Sequence, residues 1–103
     1  MKKKEGIDLA KRFKARLLEL DLPIKDVILH GSVAKEETHE WSDVDIAVIC
    51  VPFRPTRHDE NVELMRARRD IDLRIEPFAL HPDDFNNRYW GFPSEVMKNG
   101  ISV

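Results

Sequence analysis

Apolar side chains along the chain switch between helical and strand-like spacing. Over residues 7–20 they recur every three or four positions, which predicts a helix, and Pro23 prevents its continuation. Residues 27–29 form a short apolar run that is typical of a strand. Residues 44–51 form a nearly continuous apolar run, which predicts a strand covered on both faces. Helical spacing returns over residues 59–69.

The rest of the chain continues this alternation. Residues 71–76 alternate apolar and charged side chains, which predicts a strand with one face in water. Residues 33–38 are predicted to form one or two helical turns, residues 81–85 to begin a helix, and residues 94–99 to form a last helix that ends at Gly100. A chain of 103 residues is long enough for one core, so we expect a single domain, residues 1–103.

The most informative motif lies around the first two predicted strands. Gly31-Ser32 ends the first apolar run, and Asp43-Val44-Asp45 opens the second after ten intervening residues. Side chains two apart in a strand share a face, so Asp43 and Asp45 should project together. Such carboxylates repel each other unless a cation lies between them, and their oxygens suit Mg²⁺. Gly31 allows a phosphate to approach the backbone closely, and Ser32 offers it two donors. A phosphate site beside a magnesium site is therefore predicted.

This arrangement resembles the signature of the DNA polymerase β-like nucleotidyltransferase superfamily, in particular its minimal nucleotidyltransferase (MNT) branch. That branch carries Gly-Ser, ten residues and Asp-any-Asp, and the resemblance covers most of this chain. It implies the α+β polymerase β-like fold, a mixed β-sheet with helices packed on it. It also implies the transfer of a nucleoside monophosphate, most simply AMP from ATP, to a hydroxyl group of a partner protein, with Mg²⁺ or Mn²⁺ as cofactor. Members of this branch often accompany HEPN-domain proteins as the antitoxin of a toxin–antitoxin pair, so a HEPN-domain partner is expected.

The resemblance makes Asp43 and Asp45 catalytic metal ligands and calls for a third carboxylate. In the family, that carboxylate lies on the strand after the second helix, between apolar neighbours. Asp72, between Ile71 and Leu73, matches this context and could also take a proton from the attacking hydroxyl. Asp70 or Glu76 would replace it if the strand register differs by two or four residues. A solvated strand face is the alternative explanation for these charges.

The nucleotide contacts that the resemblance implies fall on Gly31, Ser32, Lys35 and Ser42. Lys35 stands where the family usually has a basic residue, which would place a point charge near the phosphates. Glu36 departs from the pattern, because family members commonly have glycine there. A negative side chain at this position would oppose triphosphate binding unless it points into solvent.

Composition limits the other possibilities. The net charge of −2 gives no general reason to expect direct nucleic-acid binding, and the basic runs at residues 2–4 and 66–69 are interpreted as solvated helix surface. Cys50 is the only cysteine, so a disulfide within the chain is excluded, and we expect it to be a small buried side chain. No apolar run approaches the roughly 20 residues of a membrane span, so no membrane association and a cytoplasmic location are expected.

Other residues and functions stay open at this level. His39, His58 and His81 lack the spacing of metal ligands, so no zinc site is predicted. Trp41 could stack on a base or pack. Instead of catalysing transfer, the chain could be a binding module that neutralises its partner by contact, or the catalytic subunit of a larger nucleotidyltransferase. Association with a second copy of the chain also remains open.

Overall fold

The computed structural model describes residues 1–36 and 43–103. Within these residues the chain forms helices and strands in an alternating order, joined by 3-10 helices at Arg68–Asp70 and Pro82–Asn86. The elements are α1 (Lys3–Glu19), β1 (Ile24–His30), α2 (Gly31–Ala34), β2 (Val44–Cys50), α3 (Arg57–Ala67), β3 (Ile75–Leu80), α4 (Phe92–Asn99) and β4 (Ile101–Ser102). None of these helices has the length and hydropathy needed to cross a membrane.

The strands form one mixed sheet in the order β3-β2-β1-β4. β1 runs antiparallel to both β2 and β4, whereas β2 and β3 are parallel. The α+β class and the mixed sheet expected from the resemblance are therefore confirmed. Because β2 and β3 are parallel, their amino-terminal ends lie at the same end of the sheet, and this arrangement bears on function.

Both faces of the sheet are covered, and side-chain alternation assigns each residue to a face. Val44, Ile46 and Val48 of β2 belong to the larger core, which includes Phe13 of α1 and Leu64 of α3. The intervening side chains point to the opposite face, where a smaller cluster lies against α4. That cluster contains Ile28, Ala47, Ile49, Leu80 and Val96, with Phe78, Phe85, Trp90 and Phe92 packed against it. By the same alternation, Asp45 lies on the α4 face.

Most predicted elements occur, with shifted ends. The helices predicted over 7–20, 59–69 and 94–99 correspond to α1, α3 and α4, and the strands over 27–29 and 44–51 correspond to β1 and β2. Of the helical turns predicted over 33–38, α2 includes residues 33 and 34, residues 35 and 36 form a turn, and the rest lies outside the described residues. The helix predicted to start at residue 81 is the 3-10 helix Pro82–Asn86.

The prediction of a strand over residues 71–76 was wrong for residues 71–74. The chain forms a turn there, in which the backbone N–H groups of Ile71 and Asp72 both donate to the carbonyl of Arg68. The strand begins only at Ile75 and continues to Leu80. These local bonds use backbone groups that would otherwise pair with a neighbouring strand. Pairing with β2 therefore begins only after this turn.

Candidate active site at one end of the sheet

Gly31 occupies the junction between β1 and α2. Its φ angle is +73°, in the left-handed region that other residues rarely adopt. A Cβ atom at this position would overlap the Asp45 carboxylate. The preceding residue, His30, pairs in register with Asp45 on the neighbouring strand. Backbone conformation and available space therefore both require glycine here, and the structure brings the Gly-Ser end of β1 against the start of β2.

Three carboxyl groups converge beside this junction. Asp43 directly precedes β2, Asp45 is its second residue, and Glu76 pairs in register with Asp45 from β3. Burial raises the pKa of Asp45, and the neighbouring Asp43 raises it further. The pKa of Glu76 is also raised, by desolvation and then by Asp43 and Asp45, and a hydrogen bond that the protonated Glu76 donates to the Asp43 carboxylate adds to the shift. The three groups are thus close enough to repel one another when ionised.

Asp72 lies elsewhere, in the turn before β3. Its Oδ1 accepts hydrogen bonds from the backbone N–H and the Nε of Arg74 at 2.8 and 3.0 Å, and its Oδ2 accepts one from Nη2 at 2.8 Å. These bonds hold the pKa of Asp72 below its usual value. Asp70 forms a salt bridge of 2.9 Å with Arg16 of α1. Of the three carboxylates considered from the sequence, Glu76 is therefore the one that joins Asp43 and Asp45.

After Gly31 the chain reaches the surface only at Lys35 and Glu36. Ser32 belongs to α2, and Lys35 and Glu36 follow in an exposed turn. Glu36 has a φ angle of +61°, the same left-handed conformation that glycine adopts without strain. Glu36 therefore keeps the backbone shape that a glycine would have, with its side chain on the surface. Ser42 and Trp41 lie outside the described residues.

A small cavity of about 110 Å³ adjoins Gly31 on the α4 side. Its walls include His30, Lys35, Phe92 and Glu95. The His30 ring meets the edge of Phe92, with ring centroids 5.6 Å apart. Burial lowers the pKa of His30, although Glu95 acts in the opposite direction. The geometry of His30 is that of a packed, neutral side chain between the sheet and α4.

Comparison with known proteins tests the resemblance independently of this geometry. The sequence model of the nucleotidyltransferase domain family matches residues 10–101. The chain belongs to this nucleotidyltransferase family. The resemblance to the polymerase β-like nucleotidyltransferases is thus confirmed, and the enzyme class with it. A comparison with curated proteins gives no significant match.

Solved structures show the same fold. A candidate nucleotidyltransferase from Sulfolobus solfataricus superimposes with a TM-score of 0.64 at 17% identity, covering 97% of this chain and 80% of the other. A structure described as a toxin–antitoxin with AMP-PNP superimposes with a TM-score of 0.58 at 18% identity, covering 90% of this chain and 70% of the other. At these identities the likeness establishes the polymerase β-like fold and no more.

Proposed function

We propose that this nucleotidyltransferase transfers a nucleoside monophosphate, most simply AMP from ATP, to a hydroxyl group of a partner protein. The observation that carries the proposal is the close approach of Gly31 to Asp45, with Asp43 and Glu76 near Asp45 where β2 and β3 begin. A glycine turn that admits a phosphate and a group of carboxylates that attracts cations are the two parts that nucleotidyl transfer needs.

The donor set fits a hard divalent cation. Asp43, Asp45 and Glu76 offer only carboxylate oxygens, which Mg²⁺ and Mn²⁺ prefer. The raised pKa values of Asp45 and Glu76 also favour this assignment, because acids that repel one another gain from a cation held between them. When bound, such an ion polarises the phosphate and stabilises the charge that develops on the leaving pyrophosphate.

The remaining roles follow from position and chemistry. Gly31 would let the triphosphate approach the backbone, and Ser32 would donate to it through its hydroxyl and N–H groups. The exposed Lys35 would supply a positive charge to the phosphates. Glu76 is proposed as the third carboxylate and as the group that accepts the proton of the attacking hydroxyl, since a carboxyl with a raised pKa is a better base. Asp72, the earlier candidate, already uses both oxygens on Arg74.

A partner is proposed because the cavity that adjoins Gly31 measures about 110 Å³. Ligand sites usually measure roughly 300–1,000 Å³. A second protein that covers this surface would complete the nucleotide site and provide the acceptor hydroxyl. The solved toxin–antitoxin with AMP-PNP supports this assignment. We therefore propose that the chain is the antitoxin of a toxin–antitoxin pair, with a HEPN-domain protein as its partner.

The test is transfer of label from ATP carrying a labelled α-phosphate. The protein is incubated with this ATP, Mg²⁺ and the protein encoded by the neighbouring gene. Label on the partner that depends on Mg²⁺ and is lost with Asp45→Asn supports nucleotidyl transfer. A stable complex without label would instead favour the binding module. Label from γ-labelled ATP alone would indicate phosphorylation and contradict the proposal.

A further inference from the structure

A second group of metal-binding side chains lies at the opposite end of the sheet. Cys50 is the last residue of β2, Glu60 belongs to α3, and His81 directly follows β3. One ligand atom from each lies within 4.8 Å of the others. Cys50 and Glu60 are fully buried, whereas 17% of the His81 side chain is exposed. The group therefore forms an interior site that solvent reaches from one side.

Hydrogen bonds already orient two of these side chains. Nε2 of His81 lies 2.6 Å from Oε1 of Glu60, and the backbone N–H of Phe53 donates to Oε2 of Glu60 at 2.8 Å. Burial, and then the nearby Glu60, raises the pKa of Cys50 to about 12. In the absence of a metal the thiol therefore keeps its proton at neutral pH.

Arg57 lies close to this group, but its charge is matched by a different acid. Its guanidinium donates to both carboxylate oxygens of Asp84, at 2.7 and 3.0 Å. Asp84 also accepts a hydrogen bond from the backbone N–H of His81 at 2.7 Å, which holds the backbone of His81 beside the ion pair. Arg57 and Asp84 form an ion pair, whereas Glu60 is held by hydrogen bonds with His81 and with the backbone N–H of Phe53. Buried polar groups are usually hydrogen-bonded, paired or bound to a metal.

We propose that Cys50, Glu60 and His81 bind one Zn²⁺ ion, separately from the nucleotide site. Thiolate, imidazole and carboxylate form a zinc donor set, and thiolate disfavours Mg²⁺. Binding releases the Cys50 thiol proton to solvent. His81 keeps one proton, which moves from Nε2 to Nδ1 as Nε2 takes up the metal. The contact of 3.4 Å between Nδ1 and Arg57 Nη2 is given up in this step.

Charge balance favours this occupant. The two positive charges of Zn²⁺ are cancelled by the thiolate and the Glu60 carboxylate, so the buried site becomes neutral. A water molecule entering beside the exposed edge of His81 would fill the fourth position of a tetrahedral site. The ion would tie the carboxyl ends of β2 and β3 to α3. The sequence spacing does not reveal the group, because it is assembled only when these three elements pack together.

Cobalt substitution tests the proposal without measuring activity. Cys50 is the only cysteine, so any sulfur-to-cobalt charge-transfer band must come from this residue. Titration of the wild-type protein with Co²⁺ should give a near-ultraviolet band that saturates at one equivalent and disappears when Zn²⁺ is added. Cys50→Ser should abolish the band. The Asp43→Asn/Asp45→Asn double variant should keep it, because those residues lie at the other end of β2.

Variants of the other two proposed ligands distinguish a metal site with three protein ligands from a thiol that binds Co²⁺ without them. Glu60→Gln and His81→Asn should each weaken Co²⁺ binding at least about tenfold, the smallest effect typical of residues that merely support metal ligands. His58→Asn, on the exposed side of the same helix, is the matched control and should bind Co²⁺ normally. Absence of the band from folded wild-type protein would overturn the proposal. So would a band of unchanged affinity in the Glu60 and His81 variants whose fold is intact by circular dichroism.

Discussion

The surroundings at the two ends of β2 shift the pKa values of nearby acids in opposite directions. At the amino end, Asp45 and Glu76 face other carboxyl groups, and their pKa values are raised. Near the carboxyl end, burial alone would raise the pKa of Asp84, but hydrogen bonds from Arg57 and from the backbone of His81 lower it instead. The fold therefore stabilises the charged acid at one end and opposes it at the other. Acids that a fold keeps together against their repulsion are typical of functional sites.

The largest effect is expected when the clustered acids are neutralised one at a time and the transfer of label from ATP is measured. Asp45→Asn and Glu76→Gln should each reduce label transfer at least about a hundredfold, because a metal ion supplies several kcal/mol of transition-state stabilisation. Asp72→Asn is the matched control, an acid held by Arg74 outside the cluster, and should stay within a few-fold of wild type. Full activity in Glu76→Gln with loss in Asp72→Asn would restore Asp72 as the third carboxylate.

Removing the paired acid should affect stability instead. Asp84→Asn loses charge-assisted bonds from Arg57 and should lower the free energy of unfolding by about 1–3 kcal/mol. Urea denaturation at neutral pH measures this change. Asp83→Asn, its neighbour in the same 3-10 helix, should be nearly neutral. An equal effect of both variants would mean that the helix, not the ion pair, is disturbed.

The pH dependence should differ in sign between the ends. Because the pKa of Asp45 is raised above its usual 3.8 on folding, the folded protein binds this proton more tightly than the unfolded chain does. In metal-free buffer, stability should therefore fall as the pH rises from 3.8 through the raised value, and Asp45→Asn should lessen this fall. The contribution of Asp84, whose pKa is lowered, is present above 3.8 and is lost as the pH falls.

A bound metal ion should cancel the destabilisation that the clustered carboxylates cause at neutral pH. Millimolar Mg²⁺ or Mn²⁺ should raise the melting temperature of the wild-type protein at neutral pH, since binding to the folded state alone stabilises it. The Asp43→Asn/Asp45→Asn double variant should not respond. A melting temperature that rises equally in both proteins would place the binding site elsewhere. Thermal unfolding at several metal concentrations distinguishes the two outcomes.

The smallest predicted effect concerns the exposed turn beside the active site. Glu36→Gly relieves the left-handed conformation at φ +61° but adds freedom to the unfolded chain, so the net stabilisation should be no more than about 1 kcal/mol. Glu36→Gln removes the charge and keeps the strain. If Glu36 opposes phosphate binding, both variants should bind ATP more tightly. If its exposed side chain stays in solvent, only Glu36→Gly should differ from wild type, and only in stability.

The proposed third carboxylate is a case in which the local sequence pattern and the tertiary structure favour different residues. Residues 71–76 alternate apolar and charged side chains, which is the pattern of a half-buried strand. The segment from Ile75 to Leu80 is apolar apart from Glu76 and Pro77, so it is also a candidate strand. The choice between the two depends on which segment pairs with β2, and the local bonds around Asp72 settle it. The sequence therefore left Asp70, Asp72 and Glu76 open, and the choice of Glu76 as the third carboxylate is a proposal that rests on its position beside Asp43 and Asp45.

The sequence by itself determined the parts of this protein that depend on neighbouring residues. The apolar periodicity predicts the main helices and the first strands, and the spacing of Gly31-Ser32 from Asp43 and Asp45 predicts a phosphate site beside a cation site. Only the tertiary structure brings Glu76 close to Asp43 and Asp45 and makes Cys50, Glu60 and His81 meet. Those groupings arise from parallel pairing of β2 with β3 and from packing of α3 on the sheet. Contacts between segments that are distant in the sequence do not produce a periodic pattern of apolar and polar residues, so they cannot be predicted from such a pattern.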